Sequence, residues 1–235
     1  MARPIHRLTH PIGLLLLFTA SILLLITTLS APIINHVGLL RVTLRNETQT
    51  RHSSVSFGTF GYCILDVPPV TSHQDYCTHR HIGYDPSDVV AHIDSALSPT
   101  SKPPSEIGAG TSGALTRVMV LHPIICGILF IAFLVSLGAG VIGSLLGALV
   151  AFLAWVLTIV VLATDFSLFG IVKHHVNRDG SGSRAYYGAG MWLLVVGFVL
   201  EFFGMVVVLF SCWGARREKR RGGGGTGRKK KFGVF

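Results

Sequence analysis

The sequence predicts a mainly α membrane protein: a four-transmembrane-helix bundle carrying a small β-rich, disulfide-linked extracellular domain. Three observations point there. Half of the residues are hydrophobic, only 13% are charged and the mean hydropathy is +0.59, whereas a soluble domain carries about a quarter charged residues. The apolar residues fall into long uncharged runs rather than the short periodic ones of a soluble core. Two of the four cysteines, Cys63 and Cys77, share the one polar segment long enough to form a domain.

The spans follow in order. Residues 1–11 form a short N-terminus, and the uncharged run Ile12 to Leu29 predicts a first helix over 12–30. Its apolar stretch exceeds the roughly 7–15 residues of a signal peptide, so an uncleaved span is the preferred reading over a cleaved leader. Val118 to Thr164 is a 47-residue run whose one basic or acidic side chain is His122. As a single helix it would reach about 70 Å, against a hydrocarbon core of about 30 Å. It therefore divides into helices at 118–137 and 144–164, with a short cytoplasmic turn at 138–143 in the glycine-rich "SLGAGVIGS". A last run, 189–213, is interrupted by Glu201, and a basic tail occupies 214–235. Gly140, Ser144 and Ala148, like Gly143, Gly147 and Ala151, recur at a spacing of four that permits close helix approach.

Orientation comes from Lys and Arg. Nine of the twenty lie after Trp213, and Arg3 and Arg7 lie at the N-terminus. The segment 31–117 has six, offset by seven acids. The positive-inside rule then puts both termini in the cytoplasm, with 31–117 as the extracellular domain and linker and 165–188 as a second extracellular loop. The net charge of +9 is mostly the tail. It points to the anionic inner leaflet rather than to nucleic acid.

Outside the membrane, "PIINHVGLLRVTL" is strand-prone, with Val42 and Leu44 alternating with polar neighbours. Asn46-Glu47-Thr48 is an N-glycosylation acceptor usable on that side alone. "VSFGTFGYCIL" follows: Gly58 and Gly61 suit a tight strand connection or a close backbone approach, while Phe57, Phe60 and Tyr62 supply a small core. "SALSPTSKPPSEIGAGTSG" reads as a flexible linker into the second span. In the second loop Asp179 to Ser183 signals a turn, and Tyr186, Tyr187 and Trp192 fit an interfacial anchor for the fourth span.

The chemistry is sparse. An oxidising exterior favours a Cys63–Cys77 disulfide closing a loop of about fifteen residues. A zinc site from His73, Cys77, His79 and His81 competes weakly, because no ligand spacing is recognisable and Cys63 would be left over. Cys126 and Cys212 lie within spans as packing residues, Cys212 also being near enough to the tail for palmitoylation. Histidine is enriched, eleven in all. Of these, His73, His79, His81, His174 and His175 are candidates for a response to ambient pH, since imidazole titrates near pH 6.5; the competing reading is that they are ordinary solvated residues. Glu201 lies near the middle of the fourth span. A proton or ion pathway is one reading, and a hydrogen bond to Ser or Thr between helices is the preferred one. No nucleophile elbow, zinc-protease motif or phosphate loop occurs. The chain is read as no enzyme, with no cofactor and no small-molecule substrate.

One span, an external glycine–aromatic–cysteine motif with a second cysteine, then three spans together resemble the fungal PalI family of claudin-like tetraspan proteins. The similar stretches are "FGTFGYCIL", "HPIICGILFIAFLVSLGAGVIGSLLGALVAFLAW" and "TDFSLFGIVKHHVNRDGSGSRAYYGAGMW". The signature maps onto Gly58, Gly61, Tyr62, Cys63 and Cys77. The resemblance implies a non-enzymatic plasma-membrane component of ambient alkaline-pH signalling that assists a seven-span receptor of PalH type. Eisosome-associated relatives imply a second role, organising membrane domains or cell-wall contact. The likeness departs at the tail: many members carry a long low-complexity cytoplasmic extension, whereas 22 residues follow Trp213 here.

Overall fold

The computed structural model describes residues 6–43, 54–65, 76–80, 82–86, 89, 116–138, 140–178 and 182–222. Four long helices carry most of them: α1 His6–Thr28, α2 Leu121–Gly138, α3 Gly140–Val176 and α4 Ala189–Gly222. Five strands, β1 Leu40–Thr43, β2 Ser54–Phe57, β3 Tyr62–Leu65, β4 Tyr76–Cys77 and β5 Arg184–Tyr187, form one antiparallel sheet in the order β4-β3-β2-β1-β5. All four helices are long and apolar enough to cross a membrane.

The helices close into a bundle in which α1 packs on α4 and α2, and α3 packs on α2 and α4. Leu17, Leu24, Leu129, Leu194 and Val208 fill its centre beside Ala20, Ala132, Ala148, Ala151 and Ala154. The alanines and glycines sit where backbones approach. A side chain at Gly147 would come within 2.8 Å of the Ala132 carbonyl oxygen and 3.1 Å of the Ser136 nitrogen. This brings α2 and α3 together by van der Waals contact, since lipid offers no hydrophobic drive between helices.

Two helices run past their expected ends. At 37 residues α3 is about 55 Å long, so its upper third stands clear of a hydrocarbon layer of about 30 Å. The stretch 165–176, expected as part of an external loop, is therefore helix. The rest of that expected loop contributes β5, which pairs with β1 through Leu40↔Tyr187 and Val42↔Ala185. Tyr186 and Tyr187 are thus strand residues rather than a free anchor, while Trp192 remains exposed at the start of α4. At the other end α4 continues as helix through Gly222, into the segment expected as a basic tail.

The sheet rests on the projecting end of α3. Leu40, Val42, Val55 and Phe57 from the strands meet Leu168, Phe169, Val172 and Val176 from the helix, with Met119 and Met191 beside them. This second core is continuous with the bundle through α3 and α4. The sheet and the bundle accordingly pack on each other directly, and the expected linker at 95–113 lies outside the described residues.

Candidate functional site at the joint of sheet and bundle

The motif "VSFGTFGYCIL" is a hairpin. β2 and β3 pair through Ser54↔Leu65 to Phe57↔Tyr62, and the turn is closed by the Gly58 amide donating to the Gly61 carbonyl at 2.9 Å. Cys63 and Cys77 lie opposite each other on β3 and β4 and are joined as a disulfide, with Cα atoms 4.1 Å apart. Cys77 therefore has no thiolate to give a metal, which removes the zinc reading. The Asn35 side-chain oxygen lies 3.4 Å from the Cys77 sulfur, a contact with a bridge that has no proton to donate.

The hairpin turn is bolted to the bundle. The Thr59 hydroxyl donates to the Thr27 carbonyl at the end of α1 at 3.0 Å, and the Thr59 amide donates to Ser30 Oγ at 3.0 Å. Gly58 is required there: a Cβ would sit 2.5 Å from the Ala31 nitrogen and closer still to its carbonyl oxygen. Gly61 is constrained likewise, by Thr78 Oγ1 at 2.6 Å from the position a Cβ would take.

Tyr84, on the short segment 82–86, is the hub of this joint. Its ring stacks on Phe57 at 6.3 Å between centroids and leans on Tyr62 at 6.3 Å. Its hydroxyl donates to the Gly58 carbonyl at 2.5 Å, and its own carbonyl accepts from the Thr116 hydroxyl at 2.7 Å. Burial pushes the Tyr84 phenol well above the usual tyrosine range, and the nearby Asp165 carboxylate pushes it further the same way. Burial also raises the Tyr62 phenol, to a smaller degree, with Tyr76 adding to the effect.

Beneath Tyr84 lie the two least expected residues. His122, in the first turn of α2, and Asp165, where α3 leaves the membrane, are both buried at the joint, with side chains 1% exposed. Their Nε2 and Oδ2 atoms are 3.1 Å apart. The approach is close but poorly aligned for a hydrogen bond, and neither atom bonds elsewhere among the described residues. His122 Nδ1 lies 3.1 Å from the Met119 carbonyl. The same carbonyl accepts from the His122 amide at 3.1 Å, and Nε2 is the ring nitrogen turned to the carboxylate.

Deeper in the bundle Glu201 is fully buried, and the Thr158 hydroxyl on α3 lies 3.0 Å from its Oε2. The same hydroxyl lies 2.9 Å from the Ala154 carbonyl. Glu201 Oε1 has no hydrogen-bond partner among the described residues.

The residues predicted from sequence scatter. Gly58, Gly61, Tyr62, Cys63 and Cys77 converge on the hairpin and its disulfide, and Glu201 lies apart in the bundle. His79 is exposed beside β4, and His174 and His175 are exposed on the last turn of α3. His73, His81 and Asn46 lie outside the described residues. Sequence reasoning did not single out Tyr84 or Asp165, and left His122 without a partner. One signal was available for α3: Leu168, Phe169, Val172 and Val176 recur at helical spacing and are all buried.

These features define a class: a four-helix, multi-pass membrane protein with a disulfide-tied antiparallel sheet seated on one end of its bundle, the claudin-like tetraspan arrangement. Residues 9–204 match the model of the SUR7/PalI family, and the chain belongs to that family. It is similar to the pH-response regulator protein palI/prr-5 of Neurospora crassa, with 29% identity over 124 residues, 53% of this chain and 15% of that protein. The chain thus aligns with a small part of that relative's length.

Proposed function

We propose that this chain is a non-enzymatic plasma-membrane accessory of the alkaline-pH response, which places or stabilises a seven-span receptor of PalH type. The observation that carries the reading is the family match across nearly the whole bundle and sheet, together with a relative named as a pH-response regulator. The geometry is compatible with it. A sheet packed rigidly on a bundle presents a fixed external surface to a neighbour, and the span surfaces offer a second contact in the plane of the membrane. Both termini are read as cytoplasmic, so the basic residues after Trp213 meet the anionic inner leaflet. Asn46 is then available for glycosylation outside.

The test is deletion of the gene while following the receptor's position and growth at alkaline pH. Receptor lost from the surface and failing alkaline growth, both restored by this chain, are expected. A receptor that stays at the surface and signals normally refutes the proposal. The family name also covers SUR7-type members, which favours a second reading as an organiser of membrane domains. Static membrane patches that dissolve in the deletion strain, with the alkaline response intact, would establish that reading instead.

A further inference from the structure

We propose that the outer face of the sheet, where β1 meets β5, is a docking surface for an acidic segment of a partner protein, whose carboxylates Arg41 and Arg184 receive. The proposal deepens the reading of the chain as an accessory and rests on it for the partner's being a protein. It names the surface and the chemistry that would hold that partner.

Strand alternation separates the two faces. Leu40, Val42, Val55, Phe57 and Ala185 turn to α3, so Arg41, Thr43, Ser54, Ser56, Arg184 and Tyr186 turn away from it. Arg41 stands opposite Tyr186 and Thr43 opposite Arg184. The two arginines are therefore diagonal neighbours on adjacent strands, roughly 7–8 Å apart. No acidic side chain shares this face among the described residues. Like charges so placed repel, and an anion bound between them turns the repulsion into a shared attraction. The donor count points the same way. Arg41 Nη2 donates to Ser54 Oγ at 3.1 Å, which fixes the guanidinium on the face. Its Nε is buried and has no hydrogen-bond partner among the described residues. The exposed Arg184 side chain makes no hydrogen bond or ion pair among them either. Each guanidinium presents a planar fork of N–H donors that matches a carboxylate, and here almost all of those donors are unbonded.

Composition and height select the occupant. Tyr186, 45% exposed, lies beside both arginines, its oxygen 3.4 Å from the Thr43 hydroxyl. Tyrosine and arginine are the side chains that most often anchor protein interfaces, so this surface fits a peptide better than a bare phosphate. Asn177, just past the last turn of α3, holds Ala185 by two hydrogen bonds: its side-chain amide donates at 3.3 Å and its side-chain oxygen accepts at 2.9 Å. That end of α3 stands about 18 Å above Asp165, where the helix leaves the membrane. Headgroups extend only about 5–8 Å beyond the hydrocarbon, so lipid phosphates lie below this surface. The same two bonds occupy the outward amide and carbonyl of Ala185. The partner therefore meets the face of the sheet and does not extend its edge as another strand.

The experiment measures binding of a short fluorescent peptide alternating Glu with Thr, and of its Gln-for-Glu counterpart, to the full chain in neutral-lipid nanodiscs. The Glu peptide is expected to bind and the Gln peptide to fail. Arg41→Ala should weaken binding about tenfold, as the loss of a charge-assisted contact does, and the exposed Arg184→Ala about threefold. Arg80→Ala removes the same charge beside the sheet's opposite edge and should leave binding unchanged. No binding by the wild type, equal binding of the two peptides, or undiminished binding with both Arg41 and Arg184 changed to Ala overturns the proposal. Two further outcomes overturn it by naming another occupant. One is displacement of the peptide by inorganic phosphate at the peptide's own concentration. The other is capture of anionic-lipid vesicles that the double alanine variant loses. Amide exchange at 54–65 checks that each variant keeps its sheet. Should Arg41→Ala disturb it, Arg184→Glu decides: it must lose the Glu peptide, and retained binding ends the proposal. The two readings fail separately. Arginine-dependent binding in vitro with a normal alkaline response in the deletion strain removes the function and leaves the surface. A response that needs the chain but survives Arg41→Ala with Arg184→Glu in cells removes the surface and leaves the function.

Discussion

Replacing Cys63 and Cys77 together by alanine should loosen the external hairpin while leaving the bundle intact. The bridge spans a sequence separation of 14, closing a loop of about fifteen residues between β3 and the two-residue edge strand β4. The chain-entropy relation for such a loop gives about 10 cal/mol/K, or about 3 kcal/mol at about 25 °C. Since about 1.4 kcal/mol is tenfold in an equilibrium constant, local opening of the hairpin should become on the order of 150 times more frequent. Cys63 is fully buried, so its missing sulfur leaves a small void that adds to the loss. Amide exchange in a membrane mimetic reads this directly. Protection at Ser54–Leu65 should fall by about two decades, while amides near Leu129, Ala151 and Val208 keep theirs. Reducing the native bridge without mutation gives the entropic part alone. An equal fall in both regions would mean that the sheet and bundle open together, and no fall would mean that the second core alone holds the hairpin; either refutes the reasoning.

Tyr84 makes folding sensitive to strong alkali: its phenol stays protonated in the folded protein but ionises near pH 10 once exposed, so its contribution to stability should be constant below about pH 10 and decline above it. Tyr84→Phe should remove that decline and cost about 1–3 kcal/mol at neutral pH, because the buried Gly58 carbonyl loses its donor; thermal unfolding followed against pH checks both. Gly58→Ala drives a methyl into the Ala31 backbone and should cost about 1–3 kcal/mol, seen as a lowered Tm. Thr158→Val should destabilise the bundle by about 1–3 kcal/mol, with Thr158→Ser restoring most of it, because Glu201 keeps its hydroxyl partner in the latter alone. Glu201→Gln should be well tolerated, since an amide can donate to the Thr158 oxygen while that hydroxyl donates to Ala154.

The bundle was legible because lipid imposes a single demand on a helix, a long run without charge, and such runs can be counted along the chain. The disulfide was legible because two cysteines in one external segment leave few alternatives. The end of α3 was harder. Asp165, Lys173, His174 and His175 interrupt the apolar run, so a composition reading stops at Thr164, whereas the buried stripe of Leu168, Phe169, Val172 and Val176 continues the helix. There the solvent changes from lipid to a protein sheet, and the signal changes from uniform apolarity to period 3.6. Strand β5 gave less still. Four residues with one buried alanine make no pattern, and its pairing with β1 joins positions more than 140 residues apart.

The joint was illegible for a related reason, and this bears on function. His122 and Asp165 come from separate spans, Tyr84 from an external segment, and Gly58 from a hairpin; only the docking of the sheet on α3 brings them together. Each residue alone has an ordinary reading, as a helix-end histidine, a loop aspartate, a core tyrosine and a turn glycine. Together they place a buried carboxyl, a buried imidazole and a buried phenol where the sheet meets the bundle. His79 and His174 are exposed, so replacing either should change stability little. A buried pair is tied to packing, because removing one partner leaves the other buried without it. Asp165→Ala should therefore lower the Tm clearly while His174→Ala leaves it nearly unchanged, and equal effects would mean that the joint does not hold sheet and bundle together.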